Sequence, residues 1–245
     1  MPKQSGLGQA LYLAGVDVSG DIGSIDQASG GPALLDVTAI DKSAYERIGG
    51  LRDGQINYTA FFNPDPNRAH AALSTLPTAD ALVSWLTGTA LGDPAACLLG
   101  KQINYDPTRG NDGQLTFKVQ ALANAFGLEW GRQLTAGKRT DTTATNGTAW
   151  DYSAAQPSPL GLQAYLHVFA FTGTSVTVKL QDSADNVSFA DIAGAGFTAA
   201  TGVTSQRIAA TAVTVRRYVR AVTTGTFSNA VFAVTAVRND VAVSF

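Results

Sequence analysis

The chain is short of cysteine, histidine and charge, and each shortage excludes something. One cysteine, Cys97, cannot form a disulfide within the chain, and its apolar setting, AACLLG, is that of a buried structural thiol rather than a nucleophile. His70 and His167 are the only histidines, and neither has a second histidine or a cysteine at zinc-ligand spacing. Asp, Glu, Lys and Arg make up 15% of the 245 residues, and the formal net charge is −2. An average globular protein carries about 25% charged residues. A chain so poor in cations does not capture nucleic acid by a broad basic surface. Its surface is built from Thr, Ser, Asn, Gln and Gly, or is covered by partners. No apolar run approaches the ~20 residues of a membrane-spanning helix. Residues 1–9 lack the apolar core of a signal peptide, so synthesis and folding in a cytosol are expected.

The sequences that resemble catalytic or ligand-binding motifs are defective. GRQLTAGK (131–138) has five residues between its glycines where a phosphate loop needs four, and Arg139 stands where Ser or Thr would meet magnesium. Gly6-Leu7-Gly8 follows no strand and is no dinucleotide fingerprint. Asp17, Asp21 and Asp26, and likewise Asp106, Asn111 and Asp112, fit turn chemistry without a calcium ion. No residue is a catalytic candidate, so an enzyme, a cofactor and a bound metal are not expected.

What remains is strand character. The reading predicts a mainly β fold: an α+β N-terminal domain over 1–140, a Thr-rich linker within 135–149, and a C-terminal antiparallel β-sandwich over 141–245. In the first part, strands are expected at 10–18, 32–40, 55–62 and 95–106, with loops at 20–32 and 41–54. Asp65-Pro66 predicts a helix over 67–76. A second short helix is expected in ADALVSWLTG (79–88), where Leu82, Trp85 and Leu86 share a face. From Leu115 apolar residues alternate through Ala121 and then change parity, which predicts a strand with a β-bulge, while positions 115, 119, 122 and 126 also fit helical spacing. Short strands are expected at 162–171, 175–183, 188–192, 204–209, 213–223 and 229–238. Trp150 and Tyr152 are candidates either to stack on a sugar ring or to cover the open end of the second sandwich.

The remaining puzzle is IGGLRDGQINYTAFFNPD (48–65), which places charge in a glycine-rich loop directly before a strand. Gly50-Leu51-Arg52-Asp53-Gly54, the strand QINYTAFF and the helix after Asp65-Pro66 resemble the tail tube (major tail) proteins of long-tailed bacteriophages. The resemblance spans about residues 10–135, in element order more than identity. GLQAYLHV, VTVKLQDSADNVSF and RRYVRAV resemble the immunoglobulin- or carbohydrate-module-like sandwiches attached to phage structural proteins. The resemblance implies a virion protein that self-assembles into stacked hexameric rings around a lumen. DNA would pass through it without specific binding, and other tail proteins, including a tape-measure protein, would be partners. It departs from the family in lacking an acidic strand face. Under this reading Glu46, Arg47, Arg52 and Asp53 form the ring-stacking interface. The rival reading is a carbohydrate-binding or adhesin module of a phage or cell surface, with a surface glycan as partner.

Overall fold

The computed structural model describes residues 5–76, 79–153 and 156–242, and among them antiparallel strands dominate. In chain order these are β1 (Ala10–Leu13), β2 (Val16–Asp17), β3 (Ile22–Asp36) and β4 (Arg47–Phe61). A short α-helix, α1 (Ala69–Leu73), precedes β5 (Ala81–Leu86), β6 (Pro94–Gln102), β7 (Asp106–Arg109), β8 (Leu115–Ala123) and β9 (Glu129–Gln133). The chain continues through β10 (Arg139–Asp141), β11 (Trp150–Asp151), β12 (Leu162–Ser183), β13 (Ala190–Gly196), β14 (Thr204–Ala210) and β15 (Tyr218–Arg238). The expected mainly β fold is therefore present.

Three apolar clusters set the layers. Leu11, Val83, Ala96 and Leu98 on one side of β1, β5 and β6 meet Ile56, Tyr58, Val119 and Ala121 of β4 and β8. The other side of the same strands, with Tyr12, Leu82, Leu86 and Cys97, meets Tyr165 of β12 and Ala233 of β15. Because β5 is buried on both faces, its apolar run has no clean period of two, and 79–88 reads as a helix when it is a strand.

The third cluster belongs to β12 and β15, which pair over their whole lengths. The sequence suggests two strands in each, separated by turns. Gly173 (φ 149°) and Gly225 (φ 121°) instead sit beside register shifts, where backbone conformations closed to most side chains bend a continuous strand pair. The halves then face one another, Leu162, Leu166 and Val168 of the first packing with Val176, Val178 and Leu180 of the second.

Other expectations need correction. Residues 22–32 are strand rather than loop, held by pairing with β4 although hardly any of their side chains are buried. The helix expected over 67–76 is five residues long, because Asn67 takes φ 59° and closes a turn after Asp65-Pro66. The Ala69 N–H at its start donates to Asp21 Oδ2 (3.0 Å), so the capping carboxylate comes from 48 residues upstream. The parity change after Ala121 is a corner: β8 ends at Ala123, and β9 pairs with β6 and β15. The expected linker contains β10, paired with β15, and the buried Asp141 accepts from Arg139 Nη2 (2.7 Å) and from the Thr223 hydroxyl (2.7 Å).

Candidate functional site

The β3–β4 hairpin runs in register from Ile22↔Ala60 to Asp36↔Arg47. Near its base it has two distinct faces. Ile56, Tyr58 and Ala60 enter the core. The opposite face, completed by β8, is a ladder of neutral polar side chains. Gln55 Nε2 donates to Ser29 Oγ (3.1 Å), Asn57 Nδ2 to Gln27 Oε1 (3.3 Å) and Gln120 Nε2 to Gln55 Oε1 (3.0 Å). The one charged group pair in the ladder neutralises itself, Lys118 Nζ lying 2.9 Å from Asp26 Oδ2.

Beyond Gly54 the hairpin becomes an arm. No residue from 32 to 49 is buried, and the closing loop is tied by Glu46 N donating to Thr38 Oγ1 (2.8 Å). Yet Leu34, Leu35, Val37, Ile40, Tyr45, Ile48 and Leu51 are all exposed, Leu51 at 88% and Ile40 fully. Seven large apolar side chains on one protrusion exceed the scattered surface hydrophobics normal for a monomer. Among the described residues, β3 pairs with β4 alone, which leaves its outer edge open to another strand.

The glycines where the arm begins have a packing role. A Cβ on Gly54 would lie 2.4 Å from the backbone nitrogen of Leu128, and one on Gly30 would lie 2.7 Å from Leu128 Cβ. The chain between β8 and β9 crosses directly over the hairpin there, and only glycine allows that approach.

The residues expected at a ring interface do not form one cluster. The 41–54 segment is loop only as far as Glu46, and 47–54 is β-paired. Glu46 forms an ion pair with Lys42 (3.3 Å), and the Arg47 guanidinium covers the Tyr45 ring at 4.6 Å, both near the tip. Arg52 and Asp53 lie at the base, about 17 Å of strand away. Asp53 Oδ1 accepts from the Gly54 N–H (2.7 Å), and Arg52 Nη2 reaches Glu129 Oε1 (3.9 Å) within the same chain.

Glu129, one of only two glutamates, belongs to no motif in the sequence. It is buried, accepts from the Tyr165 hydroxyl, and meets Arg207 of β14 with both oxygens 3.1 Å from Nη2. Burial raises the Glu129 carboxyl above its ordinary value, and Arg207 opposes the rise. The Arg207 side chain is itself enclosed, with its guanidinium 3.6 Å from the Phe126 ring centroid. One carboxylate thus joins the arm's base, the β9 corner and the C-terminal strands. Its sequence signal is slight: a lone glutamate in an alternating strand.

A second buried chain links the β1–β2 turn, β5, β6 and β12. The Gly15 N–H donates to His167 Nδ1 (3.2 Å), so in the neutral ring Nε2 carries the proton and donates to Ser84 Oγ (2.9 Å). The Ser84 hydroxyl then donates to Cys97 Sγ (3.3 Å). Protons point toward sulfur, the reverse of nucleophile activation, and burial pushes the thiol up to about 12. Burial also drives the imidazole from 6.5 down to about 3. The folded state therefore binds fewer protons than the unfolded chain between these values. Stability from neutral His167 is complete above pH 6.5 and is lost as pH falls toward 3, by at most about 1.4 kcal/mol per pH unit. Urea midpoints measured from pH 7 to pH 4 should fall more steeply for the native protein than for His167→Gln; parallel curves would contradict this.

Trp150 and Tyr152 pack against the C-terminal core, and the Tyr152 hydroxyl donates to the Ala236 carbonyl (3.1 Å). Both also line an open cleft of about 490 Å³ with Trp130, Arg132, Arg238 and Asp240. Among the described residues no helix is long and apolar enough to cross a membrane, and no three His, Cys, Asp or Glu side chains gather as metal ligands.

No family model matches the chain, and no curated protein matches it. Among solved structures it is similar to the SPP1 Dit (gp 19.1) protein, described as a paradigm of the hub adsorption apparatus in phages infecting Gram-positive hosts. Identity is 11% and the TM-score 0.35, over 94% of this chain and 99% of that one. It is also similar to a chain of the phage p2 baseplate in its activated conformation with strontium. There identity is 8% and the TM-score 0.33, over 96% and 99%. At these values neither likeness assigns a family.

Proposed function

We propose that the protein is a structural component of a phage tail that assembles with copies of itself into rings, stacked as a tail tube, with the β3–β4 arm as the principal contact. The observation that carries this reading is the arm: seven exposed large apolar side chains on a hairpin with an open strand edge. Isolated in water, such a hairpin leaves apolar area unburied and strand groups unpaired. A neighbouring copy that covers it satisfies both, and repetition round a ring removes the free edges.

The amide ladder supports the same reading. In a ring, the face carrying Gln27, Ser29, Gln55, Asn57 and Gln120 would present the lumen with side chains already hydrogen-bonded to one another and with no net charge. The cation of such a wall, Lys118, is already paired with Asp26 and its amides are engaged with one another, so it gives phosphates little to hold and DNA passes without sticking. Glu46 and Arg47 near the tip would set register more than affinity, since exposed ion pairs contribute about 0–1 kcal/mol.

The triple substitution Leu34→Asp, Ile40→Asp and Leu51→Asp tests this. All three side chains are exposed, so the variant should keep native circular dichroism and its thermal midpoint. It should sediment as a monomer where the native chain forms rings. A variant that associates as well as the native protein would sink the assignment of the arm.

A further inference from the structure

We propose that the cleft between Trp130 and Trp150 is a binding site for a neutral saccharide. The site is separate in its chemistry from the arm and does not rest on the assembly reading.

Trp130 is half exposed although it lies in a strand, and its orientation is fixed by an edge contact with Trp85, the ring centroids 5.8 Å apart at 65°. Trp150 is held differently. Its ring fills the space beside Gly92, where a Cβ would lie 2.1 Å from Cζ3. Two indoles anchored from behind thus border one cleft. Its volume, about 490 Å³, lies within the range of small-ligand sites.

The polar groups around them are already positioned. Arg132 Nη1 donates to the Gly92 carbonyl (3.3 Å). Asp151 accepts both Arg217 Nε and Nη2 at 2.7 Å, and Arg238 pairs with Asp240. A rim fixed this way loses little conformational freedom when a ligand arrives.

The lining chooses among ligand classes. The lining carries two arginines and two aspartates, but Asp151 is already paired with Arg217 and Asp240 with Arg238; this leaves one guanidinium in excess, Arg132, which already donates to the Gly92 carbonyl and is a weak anchor for a phosphate or carboxylate. A wholly apolar ligand would strand these charged groups away from water. A ligand with an apolar face and hydroxyl edges satisfies both demands, and a pyranose ring has that form. The C–H face lies on an indole while the hydroxyls reach the carboxylates and guanidinium groups.

The test titrates the full-length protein with tetrasaccharides of β-linked glucose, β-linked N-acetylglucosamine and α-linked rhamnose, and with a galactose disaccharide. It reads tryptophan fluorescence and saturation-transfer NMR. At least one probe should give a saturable shift. Trp130→Ala should weaken that binding about tenfold or more, because aromatic anchors dominate such contacts. Trp130→Phe should recover part of the loss, and the half-exposed position means that both variants fold. No saturable signal from any probe up to about 10 mM would overturn the proposal, as would unchanged affinity in Trp130→Ala. A fluorescence shift that follows protein concentration and ignores every sugar would show the cleft covered by a second copy, which also overturns it.

Discussion

Glu129→Ala is expected to destabilise the protein by about 3–5 kcal/mol, the range for removing one partner of a buried ion pair. Arg207, almost wholly enclosed, would keep a charge facing an empty space, and the Tyr165 hydroxyl would lose its acceptor. Glu129→Gln should cost less, since the amide oxygen can still accept one bond, but it should remain clearly destabilised. The double variant Glu129→Leu with Arg207→Leu should recover much of the loss, because apolar replacements of a buried pair are often near neutral. Arg52→Ala should cost about 1 kcal/mol or less. Its contact with Glu129 is long at 3.9 Å, and its side chain is a third exposed. Urea denaturation at pH 7 reads all four. Equal losses for Glu129→Ala and Arg52→Ala would show that the Arg207 pair is not the strong one.

Gly54→Val should have an effect of comparable size from a different cause. The atoms nearest a new Cβ include the Leu128 backbone, with its nitrogen at 2.4 Å and Cα at 3.0 Å, and a backbone atom cannot rotate aside. Either the β8–β9 crossing lifts or the hairpin separates. Overpacking of this kind costs about 1–3 kcal/mol and sometimes more, so alanine should fall within that range and valine above it. For a chain of this size each kcal/mol corresponds to about 2–4 °C of thermal midpoint. Gly49→Ala is the control, since nothing but the Pro32 ring lies within 4 Å of its added methyl, the nearest atom at 3.6 Å. If Gly54→Val melts with the native protein, the crossing is looser than described.

These two sites show which features the sequence could reveal. The alternation of Ile56, Tyr58 and Ala60 was legible because a strand with one buried face carries its period in its own residues. The arm was not. Residues 22–36 hold their strand through partners across the hairpin, so their side chains carry no burial pattern to read. β5 misled for the opposite reason, with burial on both faces removing the period. The turns expected between 171 and 175 and between 223 and 229 are bends at Gly173 and Gly225, because glycine either ends a strand or bends one and only register distinguishes the two. Asp21 capping α1, and Glu129 meeting Arg207 across 78 residues, are consequences of topology that no local pattern encodes. The candidate site was half visible. The glycine-rich stretch drew notice through its charges, Glu46, Arg47, Arg52 and Asp53. The weight of the assembly reading falls instead on the apolar side chains beside them and, for the glycines, on Leu128 passing overhead.

The central claim is that this chain assembles with itself through the arm. Sedimentation velocity of the purified native protein, from about 1 to 100 μM and at low and high salt, with negative-stain micrographs of the same samples, tests it most directly. The account predicts a closed ring of several copies that persists in high salt, because apolar burial carries the contact, with stacked rings at the upper concentrations. A monomer at every concentration and salt, with no rings on the grid, would contradict it.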